Sequence, residues 1–417
     1  MNKVLICIAE FYPLQNASAN CVINICHELK KLDESLQFDV LCLKSNPADF
    51  DEEYFDCFSI HRIYVRGEIG KQAFFEYAKE LPFPKERKYF FLIAKALYRI
   101  RQRVSKHPWR VLYKTFLRKI EELNHNNRYK IIMPVSGNFS TSYACAKYKK
   151  RFPNQSVIAY WLDPLIMNPL FSNKDPRSLK NDNEFIQRYS DRMIVTPVIY
   201  NHLENKRGVF PAEFPSFFED EHYTNDPHNI VFDSEKHNLL YTGTFYKDIR
   251  NPELLIQIIA ALPDKVVLHI CGIVGESFLK KHQDLISKGR IVLHGNVSHQ
   301  ILYNAIIDCD YLVNYGNLTE FLLPSKLISY ISTGKPIINV YQINNCPSFD
   351  YLKQYQPYLN LYARDNSKEN SRTLMSFISS NSCCLDRDTI FEKYKECTKK
   401  YISERIFLPA IKELLET

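Results

Sequence analysis

Short apolar runs alternate with amphipathic segments along most of this chain. A run of about five apolar residues that stops at a turn residue predicts a strand, and apolar residues that recur every three or four positions predict a helix. Strands that alternate with helices form parallel sheets in α/β proteins. The predicted strands are Val4–Ala9, Phe38–Leu43, Lys130–Val135, Val157–Trp161, Arg192–Thr196, Asn238–Tyr241, Val266–Cys271, Arg290–His294, Tyr311–Asn314 and Pro336–Val340.

The predicted strands fall into two series, which indicates two Rossmann-like domains in a chain of 417 residues. Residues 1–205 form the first domain and 237–385 the second. Residues 206–236 are rich in Pro, Asn, Asp and Glu without periodicity, which is typical of a linker. The pattern of residues 386–417 predicts one or two polar helices. One option is that these helices pack against the first domain.

The stretch LLYTGTFYKDIRNP, residues 239–252, predicts a strand, a short loop and a helix capped by Asn251. The open N–H groups of a helix start attract anions, and two cations lie just before this one. A diphosphate suits this arrangement, although a plain strand–loop–helix connection with solvated cations remains the alternative. The candidate residues are Gly243, Thr244, Lys247 and Arg250.

Two later stretches add to this candidate site. In LPSKLISYISTGKPII, residues 323–338, Ser325 can cap a short helix and Lys326 supplies another cation. In IVLHGNV, residues 291–297, the strand ends at His294 and Gly295, and the backbone up to Val297 can contact a flat ring. A histidine in such a place is more often structural than catalytic.

In the first domain, two strand ends carry polar residues. Ser136, Gly137 and Asn138 follow one predicted strand, and Asp163 follows the next. Since ligands of open α/β sheets bind outside the carboxyl ends of strands, both groups are expected to face a cleft between the domains. For Asp163 the alternative is that it caps a helix beginning with the following proline.

Composition narrows the class of protein. The twelve cysteines include no CxxC pair and no zinc-finger spacing, which favours reduced, buried thiols in a cytoplasmic protein. No run approaches the roughly 20 apolar residues of a membrane span. Asp308-Cys309-Asp310 has the D-x-D form but lies at a predicted helix-to-strand junction, so no metal site is predicted.

The three stretches of the second domain, in this order, resemble the donor domain of GT-B glycosyltransferases. The resemblance is to family 4, the large retaining group that includes sucrose synthases and many bacterial polysaccharide enzymes. That group has a glutamate where this chain has Ser329, and Glu320 is the candidate replacement for holding the donor ribose. The motif is matched by Pro324, Ser325, Lys326, Leu327, Tyr330, Gly334, Lys335 and Pro336.

The start of the chain resembles the first strand and loop of the same group. The group often has a Gly-Gly pair after this strand, where the backbone approaches the donor. Asn16, Ala17, Ser18 and Ala19 stand there instead, so small residues are kept without glycine. The acceptor-side candidates are Ser18, Ser136, Gly137, Asn138 and Asp163.

The resemblance implies transfer of a sugar from a nucleoside diphosphate sugar to a saccharide acceptor, with retention, in bacterial capsule or O-antigen assembly. It implies an active site in the cleft between two facing domains, with Asp163, Arg250 and Lys326 as catalytic candidates. No cofactor is expected, because the nucleotide sugar is the substrate and the reaction is predicted to be metal-independent. Two other classes stay open: a sugar-nucleotide epimerase of the same fold and a non-catalytic binding protein.

Positive charge is concentrated in one segment. The whole chain carries +7, but residues 85–119 contain twelve Lys and Arg against one acid, so the rest is net negative. Apolar and aromatic residues alternate with these cations, which is typical of a helix on an anionic membrane and fits an acceptor linked to a polyprenyl diphosphate. The cations at helical spacing are Lys95, Arg99, Arg103, Lys106 and Arg110.

The membrane interpretation predicts a cytoplasmic protein at the inner face of the plasma membrane. The main alternative is a solvated basic helix pair whose apolar stripe packs on its own domain. Nucleic-acid binding is disfavoured, because no nucleic-acid motif accompanies the segment. The oligomeric state is not predicted.

Overall fold

The computed structural model describes residues 2–13, 16–46, 49–65, 96–97, 100, 105, 107–137, 139–245, 252–363, 367–380 and 384–416. The chain divides into two compact units. The first comprises Met1–Pro215 and Lys399–Thr417, and the second comprises Ser216–Thr398. The return of the final segment to the first unit agrees with one of the options that the sequence left open.

An eight-stranded sheet organises the described part of the first unit, in the order β3-β4-β2-β1-β5-β6-β7-β8. Neighbouring strands are parallel except β3 and β4, which form an antiparallel hairpin at one edge. The strands are β1 (Asn2–Cys7), β2 (Leu36–Leu43), β3 (Glu52–Phe55), β4 (Phe58–Ile63), β5 (Ile131–Pro134), β6 (Ser156–Trp161), β7 (Arg192–Val195) and β8 (Val209–Pro211).

Helices cover both faces of this sheet. Leu5 and Cys7 of β1 face one side, where they pack against helices α2 and α3, and Tyr160 of β6 meets Phe407 of the returning segment on the other. The helices are α1 (Ala17–Leu32), α2 (Tyr113–Asn127), α3 (Ser140–Arg151), α4 (Pro176–Arg188) and α5 (Pro197–His202), with single 3₁₀ turns at Pro108–Arg110 and Pro169–Phe171.

The second unit contains a six-stranded sheet within its described residues, in the order β11-β10-β9-β12-β13-β14. All neighbours are parallel, and this is the Rossmann strand order, in which the chain reverses direction across the sheet between β9 and β12. The strands are β9 (His237–Thr242), β10 (Val266–Cys271), β11 (Ile291–Gly295), β12 (Tyr311–Tyr315), β13 (Ile337–Tyr341) and β14 (Tyr358–Tyr362).

The helices of the second unit follow its strands, as parallel crossovers require. The first of these helices buries Leu255, Ile258 and Ile259 against the strands. The helices are α6 (Pro252–Ala260), α7 (Glu276–Lys281), α8 (Gln283–Ser287), α9 (His299–Asp308), α10 (Lys326–Ile331), α11 (Ser348–Leu352), α12 (Ser367–Ser379) and α13 (Arg387–Tyr394).

The returning segment carries helices α14 (Lys399–Ile402) and α15 (Leu408–Glu416), joined by a π-helical stretch at Ser403–Phe407. Ile402 and Phe407 are fully buried in the first unit, and the Ser403 hydroxyl donates to the carbonyl oxygen of Ile25 in α1 over 3.4 Å. The segment is therefore part of the core of the first unit.

All ten predicted strands are present, and the prediction of two Rossmann-like parallel sheets is confirmed. Sequence analysis missed β3, β4, β8 and β14. Strand β4 alternates buried and half-buried residues, which is a period-two pattern rather than an apolar run. Strand β8 ends in Pro211, which is tolerated because β8 lies at the sheet edge.

Residues 206–236, predicted as a linker, are divided between the two units. Strand β8 belongs to the first unit, and the chain enters the second at Ser216. Within the second unit, Tyr223 donates a hydrogen bond of 2.8 Å to Asp308, and the Asn304 side chain donates to the Thr224 carbonyl over 2.7 Å. Part of this stretch is therefore held against helix α9.

Candidate functional site

Glycine ends four neighbouring strands of the second sheet. The chain has only eleven glycines, and four of them stand at the carboxyl ends of β11, β10, β9 and β12, which lie side by side in this order. An edge without side chains lets a ligand approach the backbone closely. These glycines are Gly295, Gly272, Gly243 and Gly316.

Gly243 and Gly272 lie in direct backbone contact. The Gly243 N–H donates to the Cys271 carbonyl over 2.8 Å, and a Cβ placed on Gly272 would lie 2.0 Å from the Gly243 carbonyl oxygen. Both glycines have positive φ angles, of 132° and 156°. The predicted Gly243 thus has an unpredicted partner, and together they fix the course of two loops at this edge.

Lys326 stands at the start of α10, near the end of β10. Burial raises the pKa of the Cys271 thiol to about 12, although the nearby Lys326 ammonium acts in the opposite direction. Lys326 is the first residue of α10 and lies about one helical turn before Tyr330, whose hydroxyl contacts Thr242 next to Gly243. Three cations were predicted to contact phosphate: Lys247, Arg250 and Lys326. Of these, the described residues include Lys326, which is half-buried.

Tyr330 connects α10 to the end of β9. Its buried hydroxyl accepts the backbone N–H of Thr242 over 2.9 Å and lies 2.8 Å from the Thr242 hydroxyl. Burial raises the pKa of Tyr330 above the usual range, so the hydroxyl stays protonated. The two contacts with Thr242 hold α10 in place next to Gly243, the residue that follows Thr242. Tyr330 therefore has a positioning role.

Ser325 and Ser329 both contact the start of the second unit. The Ser329 hydroxyl donates to the Ser216 carbonyl over 2.8 Å, and the Ser216 hydroxyl donates to the Ser325 carbonyl over 3.1 Å. The expected capping hydrogen bond from the Ser325 side chain is absent among the described residues, since the residue already has helical angles. Ser329 is thus engaged with the backbone where related motifs have a glutamate.

His294 is paired with another histidine. Its Nε2 lies 3.0 Å from Nδ1 of His269, and Nε2 of His269 lies 3.2 Å from the Asn238 side-chain oxygen. Burial lowers the pKa of both imidazoles, for His269 to about 4 with a further contribution from His294. Two neutral imidazole rings can form a hydrogen bond in which the N–H of one ring donates to the unprotonated nitrogen of the other. This pairing supports the structural interpretation of His294.

Glu320 lines a shallow cavity of about 350 Å³ beyond the carboxyl ends of β12 and β13. Its carboxylate accepts a hydrogen bond of 3.3 Å from the Asn345 side chain. Asn317, three residues before Glu320, is buried and donates to the Leu322 carbonyl over 2.7 Å. Glu320 therefore lies near the carboxyl ends of the strands, where the ligand was predicted to bind. The side-chain amide of Asn317 instead forms a hydrogen bond within its own loop.

The other donor-side candidates have simpler placements. Thr244 and Val297 are half-buried beside Gly243 and Gly295, whereas Pro324 and Leu327 are buried. The fully buried Leu327 packs inside the unit and offers no side-chain atom to a ligand. Lys247 and Arg250 lie outside the described residues.

A cavity of about 760 Å³ occupies the carboxyl edge of the first sheet. It lies where β1 and β5 end, which is the point at which the strand order of this sheet reverses and ligands of open α/β sheets bind. It combines aromatic and aliphatic walls with a few polar groups, as ligand pockets usually do. The lining residues are Ile8, Ala9, Glu10, Asn16, Leu43, Pro108, Trp109, Ser136, Gly137, Phe139, Leu170, Phe171, Asn173 and Lys174.

Ser136 joins this cavity to Asp163. The buried Ser136 hydroxyl accepts the backbone N–H groups of Leu162 and Asp163 over 2.7 and 3.0 Å, which ties the ends of β5 and β6 together. Ser18 lies close by, because a Cβ placed on Gly137 would be 3.9 Å from the Ser18 hydroxyl. The fold thus brings together Ser18, Ser136, Gly137 and the Asp163 backbone. Asn138 lies outside the described residues.

Burial raises the pKa of the Asp163 carboxyl to about 6. Among the described residues no hydrogen bond or ion pair reaches this carboxylate, so desolvation acts on it without compensation. The alternative that Asp163 caps a helix is wrong, because the described stretch after it contains bends and turns up to the 3₁₀ turn at Pro169–Phe171. A carboxyl group with such a pKa at a strand end is a candidate for function.

Arg110, which the helical spacing assigned to a membrane-facing surface, forms an ion pair within the first unit. Its guanidinium donates to Asp182 over 2.8 Å and lies 4.5 Å from the ring centre of Tyr143. The buried Asp182 also accepts the indole N–H of Trp109 over 2.8 Å. This pairing neutralises Arg110 inside the first unit and holds Trp109 in the cavity wall.

The other members of the predicted surface, Lys95, Arg99, Arg103 and Lys106, lie outside the described residues. Leu97 and Ile100, which are described, are more than half exposed. Within the described part of the chain, no helix has the length and apolar character needed to cross a membrane.

Sequence analysis missed most of the first-unit cavity. Glu10 directly follows the predicted first strand, Val4–Ala9, so the strand-end argument that found Ser136 also applies to it. Its carboxylate accepts a hydrogen bond of 2.9 Å from Asn16, which caps α1. Trp109 and Phe139 gave no comparable signal, because aromatic residues in helical patterns are usually core.

No protein family and no curated protein matches the sequence. Solved structures do match over the whole chain. A sucrose-phosphate synthase from Thermosynechococcus elongatus is 11% identical with a TM-score of 0.67, covering 100% of both chains. The lipopolysaccharide outer core galactosyltransferase WaaB is 13% identical with a TM-score of 0.58, covering 99% of both.

A UDP-GlcNAc 2-epimerase from Neisseria meningitidis, solved with UDP-GlcNAc, also matches, with 10% identity, a TM-score of 0.55 and full coverage of both chains. At such identities the likeness establishes the fold. The chain has the two-domain GT-B fold of Rossmann-like units, which glycosyltransferases and a sugar-nucleotide epimerase share.

Proposed function

We propose that this protein is a glycosyltransferase that uses a nucleoside diphosphate sugar as donor. The observation that carries the proposal is the glycine-lined edge of the second sheet, Gly295, Gly272, Gly243 and Gly316, with the Lys326-bearing helix α10 hydrogen-bonded to it through Tyr330. A strand edge without side chains, which a ligand can approach closely, and a cation suit a diphosphate, whose negative charge increases as it leaves. Tyr330 holds the cation-bearing helix at this edge.

The acceptor is proposed to bind the 760 Å³ cavity of the first unit. Trp109, Phe139 and Phe171 supply apolar surface for the faces of sugar rings, and Glu10 and Asn16 supply hydrogen-bonding groups for hydroxyls. This cavity also supports transfer over epimerisation, because an epimerase needs no second substrate.

In the proposed reaction, the bond between the sugar anomeric carbon and the diphosphate breaks, and the diphosphate keeps the electron pair. An acceptor hydroxyl forms the new bond, and its proton passes to an oxygen of the leaving diphosphate. Lys326 stabilises the leaving diphosphate, and Asp163 in its ionised form stabilises the positive charge that develops on the donor sugar. We propose retention of configuration and metal independence, in line with the motif resemblance.

We further propose that the acceptor is a lipid-linked saccharide of bacterial surface polysaccharide assembly. The support is the basic, aromatic-rich composition of residues 85–119, which suits an anionic membrane surface. Salt-sensitive binding to anionic liposomes that disappears when Arg99 and Arg103 are reversed in charge is the expected result. Absence of liposome binding at low salt would contradict the lipid-linked acceptor but not the proposed sugar transfer.

The donor site is tested by titration calorimetry with UDP, GDP and their sugars. Lys326→Ala is expected to weaken the binding of the preferred nucleotide by about 10-fold, the loss of one charge-assisted hydrogen bond. Lys288→Ala is the matched control, since Lys288 is exposed just before β11, at the amino edge of the same sheet. Equal affinity in both variants, or no nucleotide binding at millimolar concentration, would refute the donor site.

The pH dependence of transfer tests Asp163. Because burial raises its pKa to about 6, the carboxylate is protonated below this pH and ionised above it, so kcat/KM should rise with pH through about 6. Asp163→Asn should lower kcat/KM by about 100-fold and remove this rise. Glu204→Gln, at an exposed carboxylate of the same unit, should keep it. An unchanged profile in Asp163→Asn would exclude the proposed role.

A further inference from the structure

Three potential metal ligands from different parts of the sequence meet on the first unit. They are His27 of α1 and Asp56 and Cys57 of the turn between β3 and β4, and their ligand atoms all lie within 4.8 Å of one another. About thirty residues separate the histidine from the other two, so no spacing motif could reveal the group. The cluster is separate from the glycine-lined edge of the second sheet and from the first-unit cavity.

We infer that His27, Asp56 and Cys57 form a zinc-binding site that fastens the β3–β4 hairpin to helix α1. Imidazole nitrogen, carboxylate oxygen and thiolate sulfur are the three donor types that Zn²⁺ takes in proteins. Donor atoms around a tetrahedral zinc ion with bonds of about 2.0–2.3 Å are about 3.3–3.8 Å apart. The observed grouping reaches this geometry by small shifts of the three side chains, in which His27 Nε2 and the Asp56 carboxylate move apart to admit the ion.

The donor set selects among metals. A thiolate with an imidazole favours zinc over magnesium or calcium, which prefer oxygen ligands alone. Three protein ligands leave a fourth position of the tetrahedron for water. His27 and Asp56 have side chains 39% and 43% exposed, so an ion can enter from solvent.

The surroundings hold the ligands in place. Nε2 of His27 contacts the Asp56 carboxylate, and its ring lies 6.2 Å from that of Phe58, the first residue of β4. Asp56 has a φ angle of 56°, which turns the chain between the two strands. The nearest cation on α1, Lys30, donates to the carbonyl oxygens of Glu34 and Leu36, which directs its ammonium to the helix end.

Cys57 is half-buried and is a free cysteine, so its thiol carries a proton that zinc must displace. Zinc binding replaces this proton, which passes to the buffer, and no oxidant or reductant takes part. The ion then joins α1, whose first turn reaches the first-unit cavity through Asn16, to the edge hairpin.

The test is titration calorimetry of the full chain with ZnCl₂ after treatment with a chelator. The expected result is one zinc ion per chain, with an affinity that falls more than 10-fold in Cys57→Ser and in His27→Gln. Cys384→Ser is the matched control, because Cys384 is an exposed thiol of the second unit and its loss should leave the affinity unchanged. Mg²⁺ should give no heat.

Co²⁺ gives a second readout that does not depend on activity. The wild-type chain should show thiolate-to-cobalt charge-transfer absorption with one equivalent of Co²⁺, and Cys57→Ser should lack it while keeping the wild-type circular dichroism. Equal zinc affinity in Cys57→Ser and wild type, or zinc binding that is lost in Cys384→Ser instead, would overturn the proposal.

Discussion

Gly272→Ala is expected to lower the free energy of unfolding of the second unit by about 3 kcal/mol or more. The added Cβ would lie 2.0 Å from the Gly243 carbonyl oxygen and 2.7 Å from its carbon, and neither atom belongs to a side chain that could turn away. The backbone of one loop must therefore shift, which also disturbs the proposed diphosphate edge. Urea unfolding followed by circular dichroism measures the loss.

Gly289→Ala provides the matched control in the same unit. Gly289 also has a positive φ angle, of 67°, but a Cβ placed there would meet no atom within 4 Å. The left-handed conformation alone should cost about 1 kcal/mol. A loss in Gly272→Ala no larger than in Gly289→Ala would show that the close approach of the two loops does not contribute to stability.

Asp182→Ala is expected to destabilise the first unit by about 3–5 kcal/mol. Asp182 is 5% exposed and accepts hydrogen bonds from Trp109 and Arg110, while Nδ1 of His107 lies 3.4 Å away. Removing the carboxylate leaves a partly buried guanidinium and a buried indole N–H without their acceptor, which costs more than the lost attraction alone. Thermal or urea unfolding measures the change.

Glu204→Ala is the control for a general effect of losing a carboxylate. Glu204 pairs with Lys180 over 3.2 Å, and their side chains are 84% and 52% exposed. Exposed ion pairs contribute at most about 1 kcal/mol. If Asp182→Ala cost no more than Glu204→Ala, the Arg110 pairing could not be what holds Trp109 in the cavity wall.

The parallel sheets could be predicted because their strands are buried on both faces. Such strands are continuous apolar runs, as in Val266–Cys271, and they stand out from the helices around them. The edge strands could not be found in this way. Glu52–Phe55 has exposed and half-buried residues, and Tyr358–Tyr362 contains an asparagine within a short aromatic run.

The glycine-lined edge of the second sheet was partly predictable from the sequence. Gly243 was found because a motif surrounds it, whereas Gly272 and Gly316 end strands that were themselves correctly predicted. The rule that ligands bind at carboxyl strand ends would have found both, had it been applied to every strand. The contact between Gly243 and Gly272 requires the tertiary fold, since their spacing in the sequence reveals nothing about it.

The periodicity of charges did not reveal the partner of Arg110. Helical spacing relates residues of one helix, but Arg110 ends a 3₁₀ turn, and its partner Asp182 lies on α4. A residue 72 positions away decides whether this cation faces solvent or the interior. The same limit applies to His294, whose partner His269 lies on the adjacent strand.

The returning segment Lys399–Glu416 has a consequence for how the protein is made. Its buried Ile402 and Phe407 belong to the first unit, whereas all of the second unit lies between them and the earlier part of that unit in the sequence. During synthesis, residues 216–398 emerge from the ribosome as one uninterrupted stretch and can fold before these two side chains are available. The unit whose synthesis starts first therefore obtains its complete core last.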